Sequence, residues 1–265
     1  MVHYLVIGKP RIDLLKELWL KLLSGEIRSL KPFGDALHYS LMLARFTKDK
    51  KVAWEEEDFC NPPLAQERSQ VLDLYFENLE IISVREGDGW KRIEAEYPLW
   101  PISVGLPERL GERPKTTKSM PHQQISDTIS KDIYDRLTSM IFSLPNIKEE
   151  LSIVSVEGSR ALWVDENVQN TRREILIEGV EFAHVHPIYD GSLHVLLPSS
   201  WAREVVEKKW GEYHPLYAIG YFTNPFVMVY APRNLDELII VYEIVLISYL
   251  YAIGEKIIKP ASLIV

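Results

Sequence analysis

The 265-residue sequence contains a single cysteine, Cys60. One cysteine cannot form a disulfide within the chain, so nothing in the sequence calls for an oxidising compartment. The N-terminus also lacks the succession of basic, apolar and small residues that marks a secretory signal peptide. We therefore expect a cytoplasmic protein. Abundant Glu, Lys, Ile and Tyr beside the lone cysteine are a composition typical of a thermophile's protein.

The chain has too few basic residues for general nucleic-acid binding. Its formal net charge is −8 and its pI is near 5.5, whereas phosphate binding needs clustered lysine and arginine that release counterions. Only residues 109–118 are locally basic. We interpret this stretch as a solvated linker rather than a phosphate-binding arm.

No hydrophobic run is long enough to predict a membrane span. Residues 238–253 are the most apolar stretch, but they number sixteen and include Glu243, whereas a bilayer requires about 20 apolar residues. We predict a buried C-terminal helix that starts at Asn234 or Asp236 and ends before Gly254. Because this helix is apolar almost all round, burial against a partner is the alternative.

A proline-rich segment divides the chain. Residues 98–124 contain five prolines, which interrupt every hydrophobic period. We predict an N-terminal domain of unknown role over residues 1–105, a linker over 106–122 and a second domain over 123–265. The alternative is that the segment runs as a long ordered loop over the surface of one domain.

Both halves mix helical and strand patterns. This predicts the α+β class, with two small domains that each pack helices on an antiparallel sheet. In the first half we predict helices over 12–23 and 61–77, strands over 37–46 and 51–55, and a hairpin of 79–85 with 90–95. In the second half we predict helices over 125–144 and 199–210 and strands over 151–156, 173–186, 193–197 and 226–231.

The second half concentrates the histidines. His184, His186 and His194 lie close together in a chain that has seven histidines. Residues two apart in a strand share a face, so His184 and His186 project the same way. The turn residues between 187 and 192 can reverse the chain and bring His194 beside the pair. His214 follows the next predicted helix and can join the group at the sheet edge.

Such a cluster suits two kinds of chemistry. Neutral imidazole ligates zinc, iron, copper or nickel, so we predict a divalent transition metal site at His184, His186 and His194. Alternatively, an imidazole beside a carboxylate such as Asp190 or Glu181 can transfer protons near neutral pH. The third alternative is a structural role. The catalytic candidates are His184, His186, His194, His214 and Asp190.

The same region resembles a known family. The pattern GVEFAHVHP, DGSLHVLLP, WGEYHPL and PFVMVYAPRNLDELIIVYEIVLISYLYAIG, within residues 125–254, resembles the luciferase-like domain family. The residues that match the family's pattern are His184, His186, His194, His214, Arg233, Asp236 and Tyr249. The resemblance implies an α+β domain but no particular reaction, because the family's activity is unsettled. The N-terminal half matches no family, which limits the implication to the second domain.

An acidic stretch precedes the lone thiol. Residues 55–58 are four consecutive acids before Cys60. Their charges raise the pKa of a thiol whereas a helix N-terminus lowers it, so no activated thiolate is predicted. The stretch also lacks the ligand-rich loop with a glycine turn that calcium sites use. We interpret it as a solvated acidic patch or partner surface, with a structural Cys60.

Two functions follow from these features. The first is a small-molecule or metal-binding protein, with or without catalysis, whose site is the histidine cluster of the second domain. The second is a non-catalytic interaction or assembly subunit, which uses the apolar C-terminal helix and the N-terminal domain to contact a protein partner or another copy of itself.

Overall fold

The structure, a computed structural model, describes residues 2–100, 105–177 and 179–255. Residues 101–104 of the proline-rich segment and residues 256–265 of the predicted second domain lie outside this description. Backbone contacts divide the chain into two compact units, and the division falls between Gly105 and Leu106. Each unit is an antiparallel sheet with helices, so the predicted α+β class is confirmed.

The first unit contains a five-stranded sheet with the order β4-β1-β3-β2-β5. Its strands are β1 (Val2–Pro10), β2 (Arg45–Thr47), β3 (Val52–Asp58), β4 (Phe76–Val84) and β5 (Ala95–Pro98). Its helices are α1 (Leu15–Leu23), α2 (Glu26–Ser29), α3 (Gly34–Met42), α4 (Ala65–Glu67) and α5 (Asp73–Tyr75), with 3-10 turns at Ile12–Leu14 and Trp90–Arg92 and a π turn at Arg68–Leu72. β3 is the central strand, because it pairs with β1 on one side and β2 on the other.

The strand predicted over 37–46 is wrong for most of its length. The segment begins as the helix α3 and becomes extended only in β2. Gly34, Leu37, His38 and Leu41 are all buried, and their spacing of three and four residues places them on one face of a helix. The β-forming aromatic residues of this segment obscured that periodicity.

The predicted hairpin of 79–85 with 90–95 is also wrong. The carboxylate of Glu55 accepts hydrogen bonds from the backbone N–H groups of Gly87, Gly89 and Trp90, at 2.7 Å from Gly87 and 3.2 Å from Trp90. The loop after β4 is thereby held against β3, and the chain continues to the far edge, where β5 pairs with β2. A side chain distant in sequence therefore redirects the loop.

The second unit contains a six-stranded sheet with the order β10-β11-β9-β8-β7-β6. Its strands are β6 (Ile147–Leu151), β7 (Arg160–Val164), β8 (Glu181–Val185), β9 (Leu193–Leu196), β10 (Gly211–Tyr213) and β11 (Phe226–Val229). Its helices are α6 (Lys131–Phe142), α7 (Ser199–Glu207), α8 (Pro215–Ala218) and α9 (Leu235–Ala252), with a 3-10 turn at Arg173–Ile175.

Two strands of this sheet differ from their predictions. The strand predicted over 151–156 lies earlier in the chain, as β6, and shares only Leu151 with its prediction. The next strand, β7, was not predicted. The strand predicted over 173–186 shortens to β8, because Gly179, at φ +58, breaks the extended run. Strand β9 closely follows its prediction.

The apolar run near the C-terminus is the helix α9, buried as predicted. The side chain of Asn234 caps its first turn by accepting a hydrogen bond from a backbone N–H at 3.0 Å, and Gly254, at φ +88, follows its last turn. The helix packs on β8, β9 and α6, and Ser248 Oγ donates a hydrogen bond to Leu196 O at 2.6 Å. Within the described part of the chain, no helix combines the length and hydropathy of a bilayer crossing.

Residues 106–122, predicted as a linker, belong to the second unit. Arg109 is 3% exposed and donates a hydrogen bond of 3.0 Å to Glu237. Thr116 donates to Glu212 at 2.7 Å. The interpretation of 109–118 as solvated is therefore wrong for Arg109, and these anchors determine where the end of the segment, residue 122, is placed.

Candidate functional site

Two neighbouring strands carry the centre of the candidate site. β8 and β9 are antiparallel, and their register sets His184 directly opposite His194. Gly191, in the turn that joins the strands, has φ +68, and the backbone N–H of His186 donates to Ser192 O at 2.9 Å. The turn therefore closes as predicted and brings His186 onto the same side of the sheet as the opposed pair.

Five imidazole rings form one cluster, with His194 at its centre and four rings around it. The ring centroids of His184, His186 and His214 lie 5.0, 4.8 and 4.8 Å from that of His194, and that of His122 lies 5.2 Å away. Each of these rings belongs to a residue that is at most 3% exposed. The predicted histidine cluster is confirmed, and it contains one more ring than predicted.

His122 is the ring that sequence reasoning missed. It stands at the end of the segment predicted as a linker, where no strand register or repeated spacing relates it to the other histidines. The buried anchors at Arg109 and Thr116 carry the segment across the second unit. The only signal was the number of histidines, since five of the seven in the chain join one cluster.

Buried carboxylates orient two of the rings. Glu181 Oε1 lies 2.7 Å from His184 Nδ1, and Asp190 Oδ2 lies 2.6 Å from His186 Nδ1. Asp190 is itself held by the Ser192 backbone N–H at 3.0 Å and hydroxyl at 2.5 Å. Because an ionised carboxylate only accepts, each Nδ1 donates, and the lone pair of each neutral ring is therefore on Nε2.

A continuous row of hydrogen bonds crosses the cluster. His184 Nε2 lies 2.9 Å from His194 Nδ1, and His194 Nε2 lies 3.1 Å from His122 Nδ1. His122 Nε2 then lies 2.9 Å from Glu212 Oε1. The row therefore runs from Glu181 through three rings to Glu212.

His214 has a different hydrogen-bonding role. Its Nδ1 accepts a hydrogen bond from the backbone N–H of Leu216 at 3.2 Å and so caps helix α8. In the neutral ring the hydrogen consequently sits on Nε2. His214 therefore joins the cluster as predicted, but its remaining ring nitrogen carries an N–H group and not a lone pair.

The electrostatic environment keeps the central rings neutral. Burial lowers the pKa of His184 and, together with the neighbouring rings, lowers that of His194 well below its usual value. Burial likewise lowers the pKa of His214 to about 4. For Glu212, burial raises the pKa, but hydrogen bonds from His122 and Thr116 outweigh it and lower the pKa to about 2. Neutral imidazoles are the form that can ligate a metal.

A cavity of about 550 Å³ opens onto all five rings of the cluster. Apart from Ser155, apolar and aromatic residues form the rest of its wall: Met120, Pro121, Val154, Val156, Ile177, Leu216, Tyr221, Phe222 and Phe226. Its volume and its mixture of a few polar groups with apolar walls are typical of small-molecule sites. Asp190 stands behind His186 rather than in the wall.

Two sets of three rings can hold a metal ion. They are His184, His186 and His194, which is the predicted set, and His122, His194 and His214. In each set, one nitrogen from each ring lies within 4.8 Å of the others. Both sets share His194.

Three other residues of the family resemblance lie in structural contacts. Arg233 Nε donates to Glu237 at 2.9 Å, and Tyr249 donates to Pro145 O at 3.0 Å. Asp236 is exposed in the first turn of α9. None of the three lines the cavity as described, so the histidines alone carry the resemblance into the site.

Comparison with known proteins agrees with this location. Residues 179–248 match the family model of the Luciferase domain, which confirms the resemblance to the luciferase-like domain family. A protein named Luciferase from Armillaria gallica is 32% identical over 127 residues, which make up 47% of this chain and 41% of the relative. A Luciferase from Neonothopanus nambi is 28% identical over 182 residues, 60% of this chain and 64% of the relative.

These relatives extend beyond the matched region. The chain spans about two fifths of the Armillaria gallica protein and less than two thirds of the Neonothopanus nambi protein. No solved structure shows significant similarity to this chain. The family match includes His184, His186, His194 and His214 but begins well after His122 in the chain. The second unit therefore has a luciferase-like region with a buried histidine cluster that is compatible with ligand or metal binding.

Proposed function

We propose that the second unit is an enzyme domain that binds a divalent transition metal ion through His184, His186 and His194 and a small organic molecule in the adjoining cavity. The observation that carries this proposal is the pair of buried carboxylates behind His184 and His186, at 2.7 and 2.6 Å. Metal-ligating histidines usually donate their second N–H to such a carboxylate, which fixes the tautomer and makes the ring a better ligand.

Charge compensation supports a cation at this position. The buried Glu181 and Asp190 and the half-buried Glu212 contact a cluster of rings in which His184, His194 and His214 have lowered pKa values. Buried negative charges are costly unless a positive charge or a metal accompanies them. A divalent ion among the rings compensates these carboxylates without requiring a buried ring to become charged.

Tautomers favour the predicted set of ligands over the other. Nε2 of His184 and His186 keeps its lone pair because Nδ1 donates to a carboxylate. His214, in the alternative set, uses its Nδ1 lone pair for the backbone N–H of Leu216. A neutral His214 therefore has no second lone pair for a metal, whereas the set with His184 and His186 has one from each ring.

The cavity supports an organic ligand beside the ion. Its wall combines the imidazoles with Phe222, Phe226, Leu216 and Ile177, so a ligand can place a polar group towards the rings and apolar atoms against the opposite wall. The relatives named luciferases are enzymes, and this supports a catalytic rather than a purely structural site.

Metal content and metal binding test the proposal. We expect the Cys60→Ser variant, which has no thiol that could bind a metal elsewhere, to carry about one zinc-type ion per chain, by plasma mass spectrometry, and to rebind one ion after chelation. In this background His186→Ala removes a ligand and should weaken binding by about tenfold or more. His3→Ala, a change in the first unit, is the matched control. Folded Cys60→Ser protein that neither carries nor rebinds an ion would reject the metal proposal and leave metal-free proton transfer by an imidazole and a carboxylate.

The assembly alternative has no observation in its favour. It rested on the apolar C-terminal run and on the acidic stretch of residues 55–58. The run is α9, which is largely buried against β8, β9 and α6 of the same unit, and two of the four acids, Glu56 and Asp58, are buried. The hydrophobicity of α9 is therefore accounted for without a partner. The role of residues 1–105 stays a separate question.

A further inference from the structure

A second group of acidic residues is buried in the first unit. Side chains on β3 alternate, so Trp54, Glu56 and Asp58 share one face. Glu56 is 1% exposed and Asp58 is 3% exposed. The interpretation of residues 55–58 as a solvated patch is therefore wrong for these two acids.

The loop after β3 brings the single thiol to this group. Asp58 Oδ1 accepts hydrogen bonds from the Phe59 N–H at 2.6 Å and the Cys60 N–H at 2.9 Å, and Oδ2 accepts from the Leu64 N–H at 2.6 Å. The loop then leads into α4, whose Glu67 is 1% exposed. Cys60 Sγ lies 3.8 Å from Glu67 Oε2.

Three ligand atoms converge there. One atom each from Asp58, Cys60 and Glu67 lies within 4.8 Å of the other two. Asp58 Oδ2 retains a lone pair for a metal, because it accepts one of the three backbone hydrogen bonds whereas Oδ1 accepts two. A thiolate with carboxylate oxygens is a ligand set that zinc accepts.

A second observation points to a cation beside these ligands. Glu56, on the same face of β3 as Asp58, accepts a hydrogen bond from Trp54 Nε1 at 2.8 Å through Oε2, but its Oε1 is buried without a hydrogen-bond partner. Over the described ranges, none of Glu56, Asp58 and Glu67 forms an ion pair with lysine or arginine.

We propose that Asp58, Cys60 and Glu67 bind a divalent ion of the zinc class, with Glu56 as the adjacent carboxyl group that the ion's charge compensates. The thiolate selects zinc, cobalt or cadmium over magnesium and calcium, because soft sulfur is a poor ligand for hard cations. The ion joins the end of β3 to α4 and thereby stabilises the first unit. This site is independent of the histidine cluster.

Cobalt substitution tests this site separately from the other. Cys60 is the only cysteine in the chain, so a near-ultraviolet thiolate-to-cobalt charge-transfer band can arise only here. We expect the band to appear on titration of the metal-free full chain with Co²⁺, to persist in His186→Ala, and to be lost in Cys60→Ser. Absence of the band at saturating Co²⁺ in folded wild-type protein would overturn the proposal, whatever the histidine cluster binds.

A second measurement covers variants that fold poorly. In wild-type protein, Zn²⁺ should slow the alkylation of Cys60 by a maleimide, and Glu67→Gln should weaken that protection by about tenfold or more in Zn²⁺ concentration. Glu57→Gln changes an acid on the opposite face of β3 and should leave the protection intact. Equal alkylation rates with and without Zn²⁺ in wild-type protein would contradict zinc binding at Cys60.

Discussion

Replacing Glu181 by glutamine tests the histidine site most directly. Glu181 is fully buried, and its Oε1 lies 2.7 Å from His184 Nδ1. Glutamine keeps an oxygen that can accept this hydrogen bond, so the change removes the negative charge while preserving the shape. Any loss of metal affinity then reports the charge that polarises the ligand ring.

The expected magnitude follows from the position behind a ligand. Removing such a partner typically costs 10- to 100-fold in metal affinity, or about 1.4–2.7 kcal/mol. The metal-free protein should change little in its free energy of unfolding. Removing a buried charge lowers the cost of burial. The new amide NH2 group takes the place of Glu181 Oε2, which has no hydrogen-bond partner, so the amide is also left without one, and the two effects oppose each other.

Competition between the protein and a chromophoric chelator measures the affinity, and urea unfolding of chelated protein measures the stability. Glu212→Gln is the matched control, because Glu212 supports His122, which is outside the proposed ligand set. Unchanged affinity in Glu181→Gln, with the fold intact, would refute the reasoning. Loss confined to Glu212→Gln would instead assign the ion to the set that contains His122.

Three further predictions concern stability. First, burial lowers the pKa of His214 from 6.5 to about 4, so the unfolded chain takes up a proton before the folded chain does as the pH falls below about 6.5. The free energy of unfolding of chelated protein should therefore fall by about 2 kcal/mol between about pH 7 and pH 4, after allowance for solvent screening. His214→Gln should reduce this loss in urea unfolding. Second, Gly191→Ala, at φ +68 with its new Cβ 2.4 Å from Ile129 Cγ2, should cost about 2 kcal/mol or more in thermal unfolding, whereas Gly220→Ala, at φ +78 with nothing within 4 Å, should cost only about 1 kcal/mol; equal costs would contradict this account. Third, Asn234→Ala removes the cap of α9 and should cost about 1 kcal/mol, which Asn234→Ser should largely restore in the same assay.

Local pattern was enough to predict the centre of the site. The alternation that pairs His184 with His186 and the turn that returns His194 are properties of short segments, and the structure reproduces both. His122 could not be predicted this way, because its position depends on hydrogen bonds between residues about a hundred positions apart, such as that of Thr116 with Glu212.

The same distinction explains the fold. The α+β class and the helix α9 follow from periodicity and caps that lie within one segment. The predicted hairpin in the first unit failed because Glu55, more than thirty residues earlier, binds the loop that was expected to close it. The burial of Glu56 and Asp58 was missed because a run of four acids resembles a surface, and only the strand alternation separates its two faces.

The row of hydrogen bonds from Glu181 to Glu212 has a stoichiometric consequence. It contains four contacts, each of which requires one hydrogen, and three rings, which in their neutral forms supply three. With the end carboxylates only accepting and the three rings neutral, the row is one hydrogen short, so His194 can donate to only one of its two neighbouring rings. In the other contact two nitrogen lone pairs face each other, which is repulsive. A cation that takes a lone pair from His184 and one from His194 replaces that repulsion by two bonds, so the neutral rings leave a place in the row that a metal ion fills better than a proton.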